Sequence, residues 1–84
     1  MYIVEATHDA AQQIALLPKE ALVGLSDLTV PLSFHPWSGE SFNRRSADPR
    51  LRALEFGDEP QGVVVYLILE DQRRVVVLRV LWPA

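Results

Sequence analysis

Two neighbouring segments, Val63 to Glu70 and Arg74 to Trp82, are β-prone along their whole length and apolar on both faces. In the first, Val63, Val65, Leu67 and Leu69 alternate with Val64, Tyr66, Ile68 and Glu70. In the second, Val76, Leu78, Val80 and Trp82 alternate with Val75, Val77, Arg79 and Leu81. The polar stretch Asp71-Gln72-Arg73 between them reads as the turn of a hairpin. A solvated sheet would be polar on one face; these strands ask for cover on both.

The rest of the chain supplies cover for one face. Tyr2 to Ala6 reads as a first strand. Thr7 or Asp9 then caps a short helix whose apolar residues Ala10, Ile14 and Leu17 share a face, and Pro18 ends it. A second helix is expected from about residue 19 to 30, with Ala21, Leu25, Leu28 and Leu32 at helical spacing, weakened by Gly24 and ending or kinking near Pro31. The segment from Phe34 to Pro49 is rich in turn formers and reads as a long loop pinned by Trp37 and Phe42. Residues 50 to 56 form a further strand, followed by a polar turn through Gly57 and Gly62. The order is β-α-α-β-β-β, an α+β fold in which a helical hairpin packs on an antiparallel sheet.

Two short helices hide one face of such a sheet. The other must curl onto itself, lie beneath the long loop with Trp37, Phe42 and Phe56, or meet another chain. A chain of 84 residues forms one domain, 1–84, and buries only about 60% of the surface it exposes unfolded. Without cysteine it has no disulfide or thiolate metal site to add stability. Packing, including that of a partner, has to supply it.

Charge narrows the function classes. The formal net charge of −3 argues against generic nucleic-acid binding. It is unevenly spread: Lys19 is the sole base up to residue 43, whereas Arg44, Arg45, Arg50, Arg52, Arg73, Arg74 and Arg79 follow. Arginine forks make directional contacts to anions, although GC-rich coding gives the same bias. Arg44 and Arg45, with Arg50 and Arg52, are candidates for a local anion site; solvated loop charges are the plain alternative. Arg79 interrupts an apolar face and marks where it meets water or a ligand. No transmembrane or secretory segment is visible, so the expected location is the cytoplasm, with no membrane partner.

Other chemistries find little support. His8, His35 and Asp9 have no metal-ligand spacing, so no metal or other cofactor is expected. Ser38-Gly39-Glu40-Ser41 lacks the nucleophile elbow of a serine hydrolase, and the glycines form no phosphate-cradling loop. Glu70-Asp71 reads as a hairpin-turn pair. Trp37 and Trp82 are more simply core residues than base-stacking platforms.

Taken in order, the segments Ile14-Ala15-Leu16-Leu17-Pro18, His35-Pro36-Trp37-Ser38-Gly39, Arg50-Leu51-Arg52-Ala53-Leu54, Val63 through Asp71 and Val75-Val76-Val77-Leu78 resemble the RelE/ParE superfamily of type II toxins over nearly the whole chain. The resemblance implies a toxin neutralised by a cognate antitoxin. RelE-like members are metal-independent endoribonucleases that cut mRNA on the ribosome, and ParE-like members poison gyrase. It implies catalytic roles for Arg50 and Arg52 as phosphate clamps, for Tyr66 in positioning or proton transfer, and for Arg79 as an auxiliary cation. Where many members carry a third-strand arginine this chain has Val63, and the family's C-terminal acid–base groups are replaced by Leu81-Trp82-Pro83-Ala84. A non-catalytic interaction protein on the same scaffold, or a small homodimer, is the alternative. In either case Leu67 and Val77 are the expected partner-binding positions.

Overall fold

A computed structural model describes residues 1–41, 48–57, 59 and 61–83, with only the backbone of Glu40 and Ser41. The chain opens with strand β1 (Ile3–Ala6), followed by helices α1 (His8–Ala15), α2 (Lys19–Ser26) and α3 (Thr29–Phe34). A 3-10 turn at Pro36–Ser38 leads to the two-residue strand β2 (Glu40–Ser41), then to β3 (Leu51–Phe56), β4 (Gly62–Leu69) and β5 (Arg74–Leu81). The sheet order is β1-β5-β4-β3-β2.

The expected α+β order holds, with three local differences. The sheet is antiparallel from β2 to β5, but β1 joins its far edge parallel to β5, which makes the sheet mixed. The long loop contains β2, too short for alternation to reveal. Helix 19–30 is two helices, interrupted at Asp27 and Leu28. Pro31 does not end a helix: it stands in the first turn of α3, where its missing N–H has no intrahelical bond to make.

Local chemistry accounts for these elements. Thr7 caps α1, its hydroxyl oxygen accepting from the Ala10 amide at 3.1 Å. Pro18 separates α1 from α2. Gly24 lies where α2 meets the end of β3: a Cβ there would stand 3.1 Å from the Gly57 nitrogen and 3.3 Å from the Phe56 ring. The glycine that weakens the helix therefore allows its close approach.

The core lies between the helices and one face of the sheet, the inner face. Val64, Tyr66, Ile68 and Val75 are fully buried there, and Val77 and Val80 are each 5% exposed. The step from Val77 to Val80 follows from a β-bulge. Tyr66 pairs with Val77 and Val65 with Arg79, so Leu78 has no partner across the ladder. The extra residue inverts the alternation, sending Val80 and Trp82 inward and Arg79 and Leu81 outward. Strict alternation would have placed Arg79 beneath the helices. Trp82 packs on Phe56 with ring centroids 5.5 Å apart, so Phe56 belongs to the core and does not cover the outer face.

That outer face carries Leu51, Ala53, Val63, Val65, Leu67, Leu69 and Val76 in register across β3, β4 and β5, with Glu55, Arg74 and Arg79 among them and Leu78 at the bulge. Among the described residues no helix packs on it; the helices join the inner-face core cluster. Val65, at its centre, is shielded by its neighbours to 4% exposure, while Leu67, Leu69, Val76 and Leu78 are half-buried. Toward the margins, Ile3 is 59% and Leu81 43% exposed.

Candidate functional site

The residues singled out in the sequence occupy three different environments. Arg50 and Arg52 lie at the start of β3, and both turn back on the Asp48–Pro49 corner. Arg50 makes two bonds to the Asp48 carboxylate, Nε at 3.2 Å and NH2 at 3.1 Å, and Asp48 also accepts the Arg50 amide. This pairing holds the Asp48 carboxyl below its usual range and raises Arg50. Arg52 donates from Nε to the Pro49 carbonyl at 2.7 Å and from NH1 to the Gly39 carbonyl at 3.1 Å. Its guanidinium lies 5.1 Å from the centre of the Trp37 ring. The two arginines named as phosphate clamps thus lie beside one another, and each is already engaged within the chain.

Tyr66 pairs with Arg52 across the ladder and is fully buried. Its hydroxyl donates to the Pro36 carbonyl at 2.6 Å, and burial pushes its ionisation upward. Of the two roles expected of it, positioning or proton transfer, this placement suits positioning: it anchors the 3-10 turn from below. Gly39 is required beside it, because a Cβ at residue 39 would stand 2.2 Å from the Tyr66 hydroxyl and 2.9 Å from the Ala53 carbonyl.

Arg79 is exposed on the outer face, paired in register with Val65 and so across the sheet from Arg52. It is not brought to the Arg50/Arg52 end. Of the two partner-binding candidates, Leu67 lies half-buried on the outer face, while Val77 is core, under the helices. That assignment of Val77 is corrected by the pairing of Val77 with Tyr66, which turns it to the inner face. Arg44, Arg45 and Phe42 lie outside the described residues.

Sequence reasoning missed a cluster beside the arginines. The Glu70 carboxylate accepts from the Tyr2 hydroxyl at 2.7 and 2.9 Å, from Trp37 Nε1 at 2.8 Å and from Arg73 NH1 at 2.9 Å. The same Arg73 nitrogen reaches the Tyr2 oxygen at 3.2 Å, and its guanidinium lies 4.3 Å from the centre of that ring. Hydrogen bonds from Tyr2 and Trp37, then the Arg73 charge, keep the Glu70 carboxyl below its usual value. Arg73 adopts a left-handed backbone, φ 52° and ψ 48°, a conformation a β-turn would normally give to glycine or asparagine. Its side chain explains the choice, since glycine would lose every one of these contacts. A long-range cluster of this kind leaves no local spacing to detect.

Between Arg50 and the β4–β5 turn a cavity of about 220 Å³ is lined by Arg50, Leu69, Glu70, Asp71 and Gln72. Among the described residues near it, Arg50, Arg52 and Arg73 stand against Asp48, Glu70 and Asp71. Among the described residues no group of three or more His, Cys, Asp or Glu side chains could hold a metal. His8 instead pairs with Gln12 along α1, at 3.1 Å.

No protein-family model matches the sequence, nor does any curated protein. Solved structures do match, and the fold they define is that of the RelE toxins. The isolated RelE toxin of E. coli superposes with a TM-score of 0.81 at 14% identity, covering 100% of this chain and 86% of that one. The intact RelBE toxin–antitoxin complex of E. coli gives 0.79 at 15% identity, covering 100% and 99%. The RelBE2 toxin–antitoxin complex of Mycobacterium tuberculosis gives 0.79 at 24% identity, covering 98% of each chain. The chain therefore has the RelE fold over its full described length.

Proposed function

We propose that this chain is the toxin component of a type II toxin–antitoxin module, acting in the cytoplasm, and that its antitoxin covers the outer face of the sheet. The observation that carries the reading is that face: a surface across β3, β4 and β5, apolar along its middle with Glu55, Arg74 and Arg79 around it, and without a helix among the described residues. Solved structures of the same fold include toxin–antitoxin complexes. Fully burying an aliphatic side chain is worth about 1.5–3 kcal/mol relative to full exposure. Leu67, Leu69, Val76 and Leu78 are half-buried, so each retains part of that gain for a partner.

The activity that fits the Arg50/Arg52 end best is RNA cleavage. The 2′-hydroxyl gives its proton to water as its oxygen bonds to the adjacent phosphorus, and the P–O5′ bond breaks with the 5′-oxygen taking a proton from water, while Arg50 and Arg52 neutralise charge on the phosphate oxygens. Because its guanidinium is bonded to Asp48, Arg50 exchanges that carboxylate for a phosphate oxygen as RNA arrives. One observation favours a second reading, a non-catalytic interaction protein: Tyr66 is buried and bonded to Pro36, and Arg79 lies across the sheet.

Induced expression separates the readings. Growth arrest when the chain is produced alone, relieved by co-expression of the neighbouring gene, is expected of a toxin; unimpaired growth overturns the reading. Arg50→Ala with Arg52→Ala should abolish both arrest and mRNA cleavage. Arrest that survives this double substitution favours the non-catalytic reading.

A further inference from the structure

We propose that Glu70 is a positioning residue for the phosphate-contacting end of the molecule and acts through Trp37; the inference rests on the RNA reading of Arg50 and Arg52. The geometry is continuous. Glu70 accepts from Trp37 Nε1 at 2.8 Å, which fixes the rotation of the indole. The Trp37 ring in turn forms the platform over which the Arg52 guanidinium lies, 5.1 Å from its centre. From the opposite side the carboxylate is held by Tyr2 and Arg73, so its own position is set by β1 and the β4–β5 turn. Arg73 takes an unfavourable left-handed backbone to make these contacts, an outlier of the sort that structures keep where a specific side-chain position is needed.

A carboxylate is the group this junction needs. Tyr2, Trp37 and Arg73 all donate, and an ionised carboxylate has only acceptors to offer them. An amide could keep its oxygen on Tyr2 and Trp37 and turn its NH2 to Arg73, so only an apolar residue takes the acceptor away from Trp37. Trp37 is 40% exposed, so its indole ring is held in place by this bond more than by burial. Release of Trp37 would free the surface on which Arg52 rests and leave its guanidinium held on one side only, by the Pro49 and Gly39 carbonyls.

The test is a double-mutant cycle on binding of a short single-stranded RNA, using the full chain as wild type, Glu70→Leu, Trp37→Phe and the double variant, with a thermal melt of each. Glu70→Leu and Trp37→Phe are each expected to weaken binding about tenfold, and the double variant to be no weaker than the weaker single one. Binding by Glu70→Leu equal to wild type overturns the positioning role. Losses that multiply in the double variant also overturn it, because the two residues would then act independently. Failure of the wild type to bind the RNA is a distinct result that overturns the phosphate site itself, and this inference with it. The indole N–H resonance of Trp37 provides a readout that survives any loss of stability: in the wild type it should shift when RNA is added, and an unmoved resonance with RNA bound contradicts the inference.

Discussion

At the scale of single residues, the Tyr66 hydroxyl shows how one buried polar atom organises an exposed site. It is bonded to the Pro36 carbonyl, directly beneath the turn that carries Trp37. Tyr66→Phe leaves that carbonyl without its partner and should cost about 1–3 kcal/mol of stability, measured by urea denaturation. An unchanged midpoint would show that the bond does not hold the turn. Asp48→Asn keeps an oxygen for the Arg50 amide but removes the charge that engages its guanidinium. Exposed ion pairs contribute roughly 0–1 kcal/mol, so RNA affinity should rise by about two- to fivefold in a fluorescence titration; a fall would contradict competition between Asp48 and phosphate. Glu70 makes a pH prediction. Its folded carboxyl is depressed, chiefly by the Tyr2 and Trp37 hydrogen bonds, so the bonds it accepts are fully present above its usual value of 4.5 and are lost as pH falls through the lower folded value. The Trp37 indole resonance should hold steady down to pH 4.5 and move only below it.

Among the elements, the bulge in β5 decides which face each residue of the last strand occupies. Deleting Leu78 removes the extra residue, so Arg79 stays opposite Val65 on the outer face and Val80 stays inward. The deletion variant should therefore still unfold cooperatively by circular dichroism, whereas Val80→Arg, which sets an unpaired charge at a buried position, should not. A deletion variant that fails to fold would show that the bulge itself is needed. This is also where the sequence was least legible. Alternation identified β3, β4 and β5 and both apolar faces of β4, because strand period and β-propensity are local properties. The bulge, the parallel addition of β1 and the division of α2 from α3 depend on partners far along the chain. Pro31 suggests an end or a kink because its spacing to the preceding helix does not reveal that a new helix starts two residues before it. At the site, the Arg50/Arg52 spacing was visible as a pattern. The Glu70 cluster was not, since its members are 33 and 68 positions apart.

For the whole molecule, the account depends on a sheet covered by its own helices on one side and by a partner on the other. The two faces predict different mutant behaviour. Val77→Asp buries a carboxylate in the core and should unfold the chain, a loss of more than about 4 kcal/mol. Leu67→Asp places the same charge on the half-buried outer face and should leave a cooperative melt while abolishing co-purification with the neighbouring gene's product. The most direct measurement is methyl NMR of the isolated chain titrated with that product. Resonances of Val63, Leu67, Val76 and Leu78 should shift and become shielded from a soluble paramagnetic probe, while those of Val64, Ile68 and Val75 stay in place. A bound partner that leaves the outer methyl groups unmoved and open to the probe would contradict the account.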